Sequence, residues 1–158
     1  MLYTTRYASP LGALTLQASE AGLTAICFRE PASVTEEPPV LIEARHWLDA
    51  YFRGEAPDPN SIPLILEGTD FQLLVWNRLL DIPYGESITY GELARETARS
   101  LGKSAMSAQA IGGAVGRNPI PILIPCHRVL GSGGRLTGYS GGLPIKIWLL
   151  THEGCPFR

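Results

Sequence analysis

The stretch Asn118-Pro119-Ile120-Pro121-Ile122-Leu123-Ile124-Pro125-Cys126-His127-Arg128-Val129 carries most of the information in this chain of 158 residues. Its apolar run, residues 120–124, contains one proline and precedes another, which predicts a buried extended segment with rigid ends. Cys126 and His127 follow this run directly. A cysteine is often only a small buried hydrophobic residue. A polar, reactive pair fixed by prolines at the end of an apolar strand indicates a nucleophile instead.

Such a nucleophile needs a base, because a thiol with a pKa of about 8.5 is mostly protonated at neutral pH. His127 is the nearest candidate for that base. Adjacent residues of an extended segment point to opposite sides, so a bridging water is the expected route for the proton. Glu153, near the end of the last predicted helix, could orient the imidazole. The pattern alone favours a solvated helix terminus at that position.

Composition excludes several classes of protein. Hydrophobic residues make up 45% of the chain and charged residues 18%, which provides material for a core and argues against disorder. Apolar stretches are too short to span a bilayer, and the N-terminus lacks the pattern of a signal peptide. We therefore expect a cytoplasmic protein with no membrane association. Three scattered cysteines, Cys27, Cys126 and Cys155, fit neither a disulfide framework nor a metal site, so no metal is predicted.

The sequence predicts an α+β fold with two domains, residues 1–66 and 67–158. In the first, three short strands, residues 2–7, 13–17 and 23–28, form an antiparallel meander and precede a helix over residues 40–52. The second is mainly helical. Capping boxes at Thr69–Gln72 and Thr89–Glu92 open two helices, the second of them ending near Thr97. Ser107 caps a short helix over residues 108–115, which gives a helix-turn-helix candidate, and the last helix covers residues 144–153.

Charge is distributed unevenly between the two halves. Residues 1–68 have four arginines against nine acidic residues, a net charge of −5, whereas residues 69–158 have a net charge of +3. Such asymmetry is typical of a chain whose basic half has an acidic partner.

Several motifs in residues 69–154 occur together and in register: Gly112-Gly113, Asn118-Pro119, Pro125-Cys126-His127-Arg128-Val129, Gly138-Tyr139-Ser140-Gly141-Gly142, Lys146, Trp148-Leu149-Leu150 and His152-Glu153-Gly154. This set resembles the O6-alkylguanine-DNA alkyltransferase family. The N-terminal half is similar only in its order of strands and helix. The resemblance implies DNA repair by one irreversible transfer of the alkyl group from guanine O6 to the protein's own cysteine, with no cofactor.

The resemblance also implies roles for the residues at matching positions. Cys126 would accept the alkyl group, His127 would take its proton through a water, and Glu153 would orient His127. Tyr90 would donate a proton toward guanine N3. The remaining residues would shape or contact the guanine site. Asn118 would be a structural hinge, and the backbone carbonyls of Val129 and Cys126 would accept hydrogen bonds from the guanine 2-amino group. Tyr139 and Ser140 would lie in the loop that closes the pocket, with Lys146 nearby.

The implied partner is double-stranded DNA, bound by a monomer through the minor groove with the target nucleotide flipped out. Within the helix over residues 108–115, the implied DNA contacts are Ala108, Gln109, Gly112 and Gly113. The basic residues around this helix are candidates for phosphate contact: Arg117 and Arg135, and further Arg95, Arg99 and Lys103. Gln109 departs from the family, which usually has an arginine there, and the preceding loop, residues 99–106, is longer than usual. We hypothesise weaker flipping or a different wedge.

Two other classes of function stay open from the sequence. One is a non-catalytic sensor of alkylated bases with the same fold, which the acceptor thiol of Cys126 argues against. The other is a hydrolase that uses Cys126 and His127, for which the sequence shows no recognisable oxyanion hole.

Overall fold

The computed structural model describes all residues, Met1–Arg158, and they form two compact units. The first contains Met1–Glu67 together with Pro119–Pro121, and the second contains Gly68–Asn118 together with Ile122–Arg158. Strands and helices are both present, as the α+β prediction requires.

The first unit is built on the predicted antiparallel meander. Strands β1 (Tyr3–Ser9), β2 (Gly12–Ala18) and β3 (Leu23–Cys27) pair in the order β1-β2-β3. Alternate residues of β2, including Leu14 and Leu16, are fully buried, as expected for a sheet with one covered face. Helix α1 (Pro39–Phe52) covers that face. It begins one residue before its predicted start because proline is well suited to the first helical position.

In the second unit the predicted caps are confirmed. Helix α2 (Asp70–Leu79) begins after Thr69, whose hydroxyl accepts from the Gln72 N–H at 3.1 Å while the Gln72 side chain accepts from the Thr69 N–H at 3.0 Å. The same reciprocal pair, between Thr89 and Glu92, opens α3 (Tyr90–Ser100). Strand β4 (Ile88–Thr89) leads directly into it.

The end of α3 lies beyond its predicted limit. The helix continues past Thr97 to Ser100 because the buried Thr97 hydroxyl donates to the Leu93 carbonyl at 2.8 Å and so requires no partner outside the helix. Residues 101–107 connect α3 to α4 (Ala108–Gly116), whose first turn is capped by the Ser107 hydroxyl. Trp76 of α2 donates to the Ala114 carbonyl at 2.9 Å, which fixes α4 against α2.

The prediction of an extended segment before Cys126 is wrong in its conformation and right in its burial. Ile122 has a φ of +77°, a turn conformation that is rare for a β-branched residue, and residues 120–124 are buried. Pro125, with φ −80° and ψ 63°, forms an inverse γ-turn in which the Cys126 N–H donates to the Ile124 carbonyl at 2.7 Å. Residues Cys126–Arg128 then form a 3₁₀ turn.

After the 3₁₀ turn, β5 (Val129–Leu130) pairs in parallel with β4. The last helix, α5 (Leu143–His152), has Pro144 in its first turn and Gly154, at φ +70°, just after its end. Residues after α5 return to the loop that follows β5: the Leu136 N–H donates to the Arg158 carbonyl and the Arg158 N–H to the Gly134 carbonyl. None of the helices has the length and apolar character needed to cross a membrane.

Candidate active site

Cys126 lies at the wall of a cavity of about 580 Å³ in the second unit, and the residue is 2% exposed. Burial raises the pKa of its thiol, although Asn118, Tyr139 and Lys146 act in the opposite direction. The resting sulfur is therefore protonated, and a base has to remove its proton before it can attack.

His127 and Glu153 form a fully buried pair. His127 Nε2 lies 2.6 Å from Glu153 Oε2. Burial lowers the pKa of His127 despite the nearby carboxylate, so the ring is neutral at rest. A neutral ring that donates from Nε2 leaves a lone pair on Nδ1, and this buried atom has no hydrogen-bond partner within the protein. The pair can therefore accept a proton at Nδ1 and stabilise the resulting imidazolium.

Glu153 is the residue that sequence reasoning placed least well. The pattern favoured a solvated helix terminus, yet the carboxylate is buried because Arg128 and the Gly85 N–H supply the hydrogen bonds that water would otherwise provide. Burial alone would raise the pKa of Glu153, but hydrogen bonds from His127 and Arg128 outweigh it and hold the pKa well below its usual range. The carboxylate is thus a permanent anion behind His127.

Arg128 is a functional residue that the sequence analysis missed. Its Nε donates to Glu153 Oε1 at 2.7 Å and its Nη2 to Oε2 at 3.0 Å, which is the bidentate arrangement that fixes a carboxylate in one orientation. Nη1 donates to the Ile82 carbonyl at 2.6 Å, and the guanidinium lies over the Tyr84 ring at 5.7 Å. A charged residue directly after Cys126-His127, in a stretch that is otherwise apolar, was the available signal.

Asn118 connects the end of α4 to the turn before Cys126. Its Nδ2 donates to the Ile124 carbonyl at 2.7 Å, so one carbonyl accepts from both Asn118 and the Cys126 backbone. The same side chain also acts on the Cys126 thiol, whose pKa it lowers. Asn118 therefore fixes the backbone on which the sulfur is carried.

Lys146 of α5 is completely buried, and its Nζ donates to the Val129 carbonyl at 2.8 Å. Burial lowers the pKa of this ammonium group, while Cys126 raises it. The Val129 carbonyl keeps a second lone pair, because a backbone oxygen can accept two hydrogen bonds. A cation in this position both orients that carbonyl and lowers the cost of negative charge on the sulfur.

The cavity walls bring two further segments to Cys126, the start of α3 and the loop before α5. Tyr90 at the start of α3, Thr137, and Tyr139 with Ser140 from the loop before α5 line it beside Cys126. Burial raises the pKa of Tyr90, and the neighbouring Thr137 hydroxyl lowers it. Tyr90 therefore keeps its proton and is placed to donate it to a ligand in the cavity.

Helix α4 borders the same cavity and presents a surface with few side-chain atoms. Ala108, Gly112 and Gly116 line the cavity, and a Cβ added at Gly112 or Gly113 would meet no atom within 4 Å. Gln109, in the first turn, and Arg117, just after the helix, are exposed. Arg135 is also exposed, but it lies in the loop after β5 rather than on this helix. A ligand surface can approach the α4 backbone closely here.

No group of three or more His, Cys, Asp or Glu side chains lies close enough together to hold a metal ion. The chemistry of the site is carried by a thiol, an imidazole, a carboxylate and a phenol. These features define a class of protein in which a buried cysteine is the nucleophile, a His–Glu pair is the base, and the group to be attacked binds in an adjoining cavity.

Comparison with known proteins identifies the family within this class. Residues 70–155 match the DNA binding domain of 6-O-methylguanine DNA methyltransferase, and residues 1–66 match the ribonuclease-like domain of the same enzyme. The methylated-DNA–protein-cysteine methyltransferase of Methanosarcina acetivorans is 42% identical over 97% of this chain and 99% of its own length. That of Haemophilus influenzae is 41% identical over 99% of this chain and 88% of its own length.

Among solved structures, Mycobacterium tuberculosis OGT in complex with DNA matches with a TM-score of 0.79 and 42% sequence identity, over 95% of this chain and 92% of the other. The chain therefore belongs to the 6-O-methylguanine DNA methyltransferase family.

Proposed function

We propose that this protein repairs DNA by moving the alkyl group of O6-alkylguanine to the sulfur of Cys126, once per molecule. The observation that carries the proposal is the buried Cys126 thiol, at a cavity wall, next to a neutral His127 that Glu153 holds at 2.6 Å. Membership of a family whose named relatives are methylated-DNA–protein-cysteine methyltransferases supports the same conclusion.

The first step activates the sulfur. The proton of Cys126 passes through a water to His127 Nδ1, and Glu153 stabilises the imidazolium that forms. Lys146, whose ammonium group is buried and acts on Cys126, offsets part of the cost of forming the thiolate. Because burial raises the pKa of the thiol, the thiolate forms only when a base takes the proton.

The second step is displacement at carbon. The thiolate forms a bond to the alkyl carbon, the bond between that carbon and guanine O6 breaks, and its electron pair moves into the purine. Tyr90 donates a proton to N3, so the departing guanine is neutral. The product is a thioether, from which the cysteine thiolate is a poor leaving group, so the alkyl group is not passed on. The protein is consequently consumed in a single turnover.

The guanine would be held by groups around the cavity. The carbonyls of Val129 and Cys126 accept from the 2-amino group, and Tyr139 and Ser140 close the pocket in front of the ring. Asn118 keeps the backbone of Cys126 in place through its bond to the Ile124 carbonyl.

The target base is stacked inside duplex DNA, so it has to leave the helix at a cost of a few kcal/mol. We propose that α4 enters the minor groove, where the bare backbone around Gly112 and Gly113 permits close approach and Ala108 and Gln109 face the vacated base position. Arg117 and Arg135 would contact phosphates, which would make binding salt-sensitive.

The same proposal extends to the organisation of the chain. Residues 1–66 would form a supporting domain and residues 67–158 the domain that binds DNA and accepts the alkyl group. The protein would act as a monomer. It would work in the cytoplasm, or in the nucleus of a eukaryotic cell, because its substrate is chromosomal DNA.

An incubation with alkylated DNA and a parallel incubation with a simple ester or amide separate this function from its two alternatives. The protein is mixed with a duplex that carries one O6-methylguanine, and the lesion and the protein mass are followed together. Loss of one lesion per protein, with gain of one methyl group, is the expected result. Tight binding without a mass change would indicate a sensor and would contradict the proposal. Repeated turnover of an ester or amide would indicate a hydrolase.

A further inference from the structure

Thr137 lines the same cavity as Tyr90 and Cys126. Its hydroxyl oxygen is buried and makes no hydrogen bond within the usual limits, which is uncommon because a buried polar atom without a partner is destabilising. The group on which Thr137 acts is the Tyr90 hydroxyl: Thr137 is a hydrogen-bond partner that lowers the pKa of Tyr90 against the rise that burial causes.

Close packing of the Thr137 methyl group sets the orientation of this side chain. A Cβ built at Gly131 would lie 2.9 Å from Thr137 Cγ2, so the methyl group occupies the space that the missing Gly131 side chain leaves open. A threonine side chain has only two branches at Cβ, and fixing the methyl branch restricts the hydroxyl branch as well. The buried Oγ1 is thereby kept inside the protein rather than turned toward solvent.

A phenol has one hydrogen and can donate it in only one direction at a time. If Thr137 donates to the Tyr90 oxygen, the Tyr90 hydrogen is left to point into the cavity. The same donation stabilises the negative charge that grows on the Tyr90 oxygen as its proton leaves. In ligand-free sites such hydrogen bonds are often long and tighten when the substrate is bound.

We propose that Thr137 is a positioning residue for proton donation, and that its hydroxyl donates to Tyr90 while Tyr90 donates to the purine. This inference rests on the proposed function. In the step, the Tyr90 O–H bond breaks, the N3–H bond of guanine forms, and the phenolate holds the Thr137 hydrogen bond until solvent returns a proton after the base has left.

Two variants and two substrates test the inference. Thr137→Val keeps the shape and removes the hydroxyl, whereas Thr137→Ser keeps the hydroxyl. Methyl transfer is measured in a single turnover on duplexes that contain O6-methylguanine or O6-methyl-3-deazaguanine, which has carbon in place of N3. Thermal midpoints and DNA affinities of both variants are measured as controls for folding and binding.

Thr137→Val should slow transfer from O6-methylguanine about ten- to a hundredfold, the contribution of one hydrogen bond to a charged group. It should leave the slower transfer from the 3-deaza substrate unchanged, because no proton goes to N3 there, and Thr137→Ser should retain the wild-type rate. Equal slowing on both substrates, an unchanged rate for Thr137→Val, or a slow Thr137→Ser variant would each overturn the inference. If the wild-type protein transfers no methyl group from either substrate, the proposed function fails and this inference fails with it.

Discussion

Replacing Glu153 by glutamine should impair both catalysis and stability, by amounts that the structure lets us estimate. The carboxylate accepts from His127 and twice from Arg128, all at 3.0 Å or less, and its side chain is fully buried. The amide keeps the shape and loses the charge, which leaves the Arg128 cation buried without its counterion. Breaking a buried pair in this way costs about 3–5 kcal/mol of unfolding free energy.

The effect on catalysis has a separate cause. The amide of Glu153→Gln cannot stabilise an imidazolium at position 127, and its NH₂ group can reverse the hydrogen bond and move the proton of His127 to Nδ1. A comparable carboxylate-to-amide change behind the histidine of a serine protease lowers kcat by about 10⁴. We expect single-turnover methyl transfer by Glu153→Gln to fall by about 10³ or more.

The double variant Arg128→Met, Glu153→Gln separates the two effects. Removing both charges leaves no unpaired ion, so chemical denaturation should show that part of the lost unfolding free energy returns. The transfer rate should stay low, because nothing stabilises charged His127. A wild-type rate for Glu153→Gln, or recovery of the rate in the double variant, would refute the reasoning.

The same network predicts how the stability of the wild-type protein depends on pH. The pKa of Glu153 is held below its ordinary value of 4.5, and burial lowers the pKa of His127 from 6.5. In both cases the unfolded chain binds more protons than the folded one. The stability that Glu153 contributes is complete above pH 4.5 and is lost as the pH falls below that value. The stability that neutral His127 contributes is lost earlier, as the pH falls below about 6.5. Denaturation midpoints between pH 7 and pH 4 that stay constant would contradict this.

The remaining predictions concern residues around the sulfur and on α4. Lys146→Met should slow methyl transfer by about tenfold, because the Val129 carbonyl loses its donor at 2.8 Å and the thiolate loses a nearby cation. Stopped-flow measurements of methyl transfer at several pH values check this. Gly113→Ala should raise the unfolding free energy by about 0.5–1 kcal/mol, since the added Cβ meets nothing within 4 Å and alanine favours a helix, yet it should weaken DNA binding in a fluorescence titration. Unweakened binding would argue against close approach of DNA to α4. Gln109→Arg should speed repair of duplex DNA in a single turnover, and an unchanged rate would count against the hypothesis that glutamine makes a weaker wedge.

Much of the framework could be predicted because its signals are local. The caps at Thr69, Thr89 and Ser107 each depend on residues within four positions, and all three helices begin where the sequence indicated. The strands of the first unit alternate between buried and partly exposed residues over short distances. Their meander was therefore predictable with limits wrong by only one or two residues.

What could not be predicted depends on partners far away in the sequence. Residues 120–124 have the composition of a strand, but the hydrogen bond from Asn118 to the Ile124 carbonyl and the turn at Ile122 impose a different path. Glu153 is acidic at a helix end, which usually means solvent exposure. Only the fold brings Arg128 and Gly85 to it, from 25 and 68 positions away, and makes its burial favourable.

The central claim is that the sulfur of Cys126 is the final acceptor, and the chain offers two internal controls, Cys27 and Cys155, of which Cys155 is also buried. The most direct measurement is a peptide map by mass spectrometry after the protein has reacted with a duplex that contains isotopically labelled O6-methylguanine. The account predicts one labelled methyl group, on the peptide that contains Cys126, and none on that peptide from the Cys126→Ser variant. A label on Cys27 or Cys155, or loss of the lesion with no label on the protein, would contradict it.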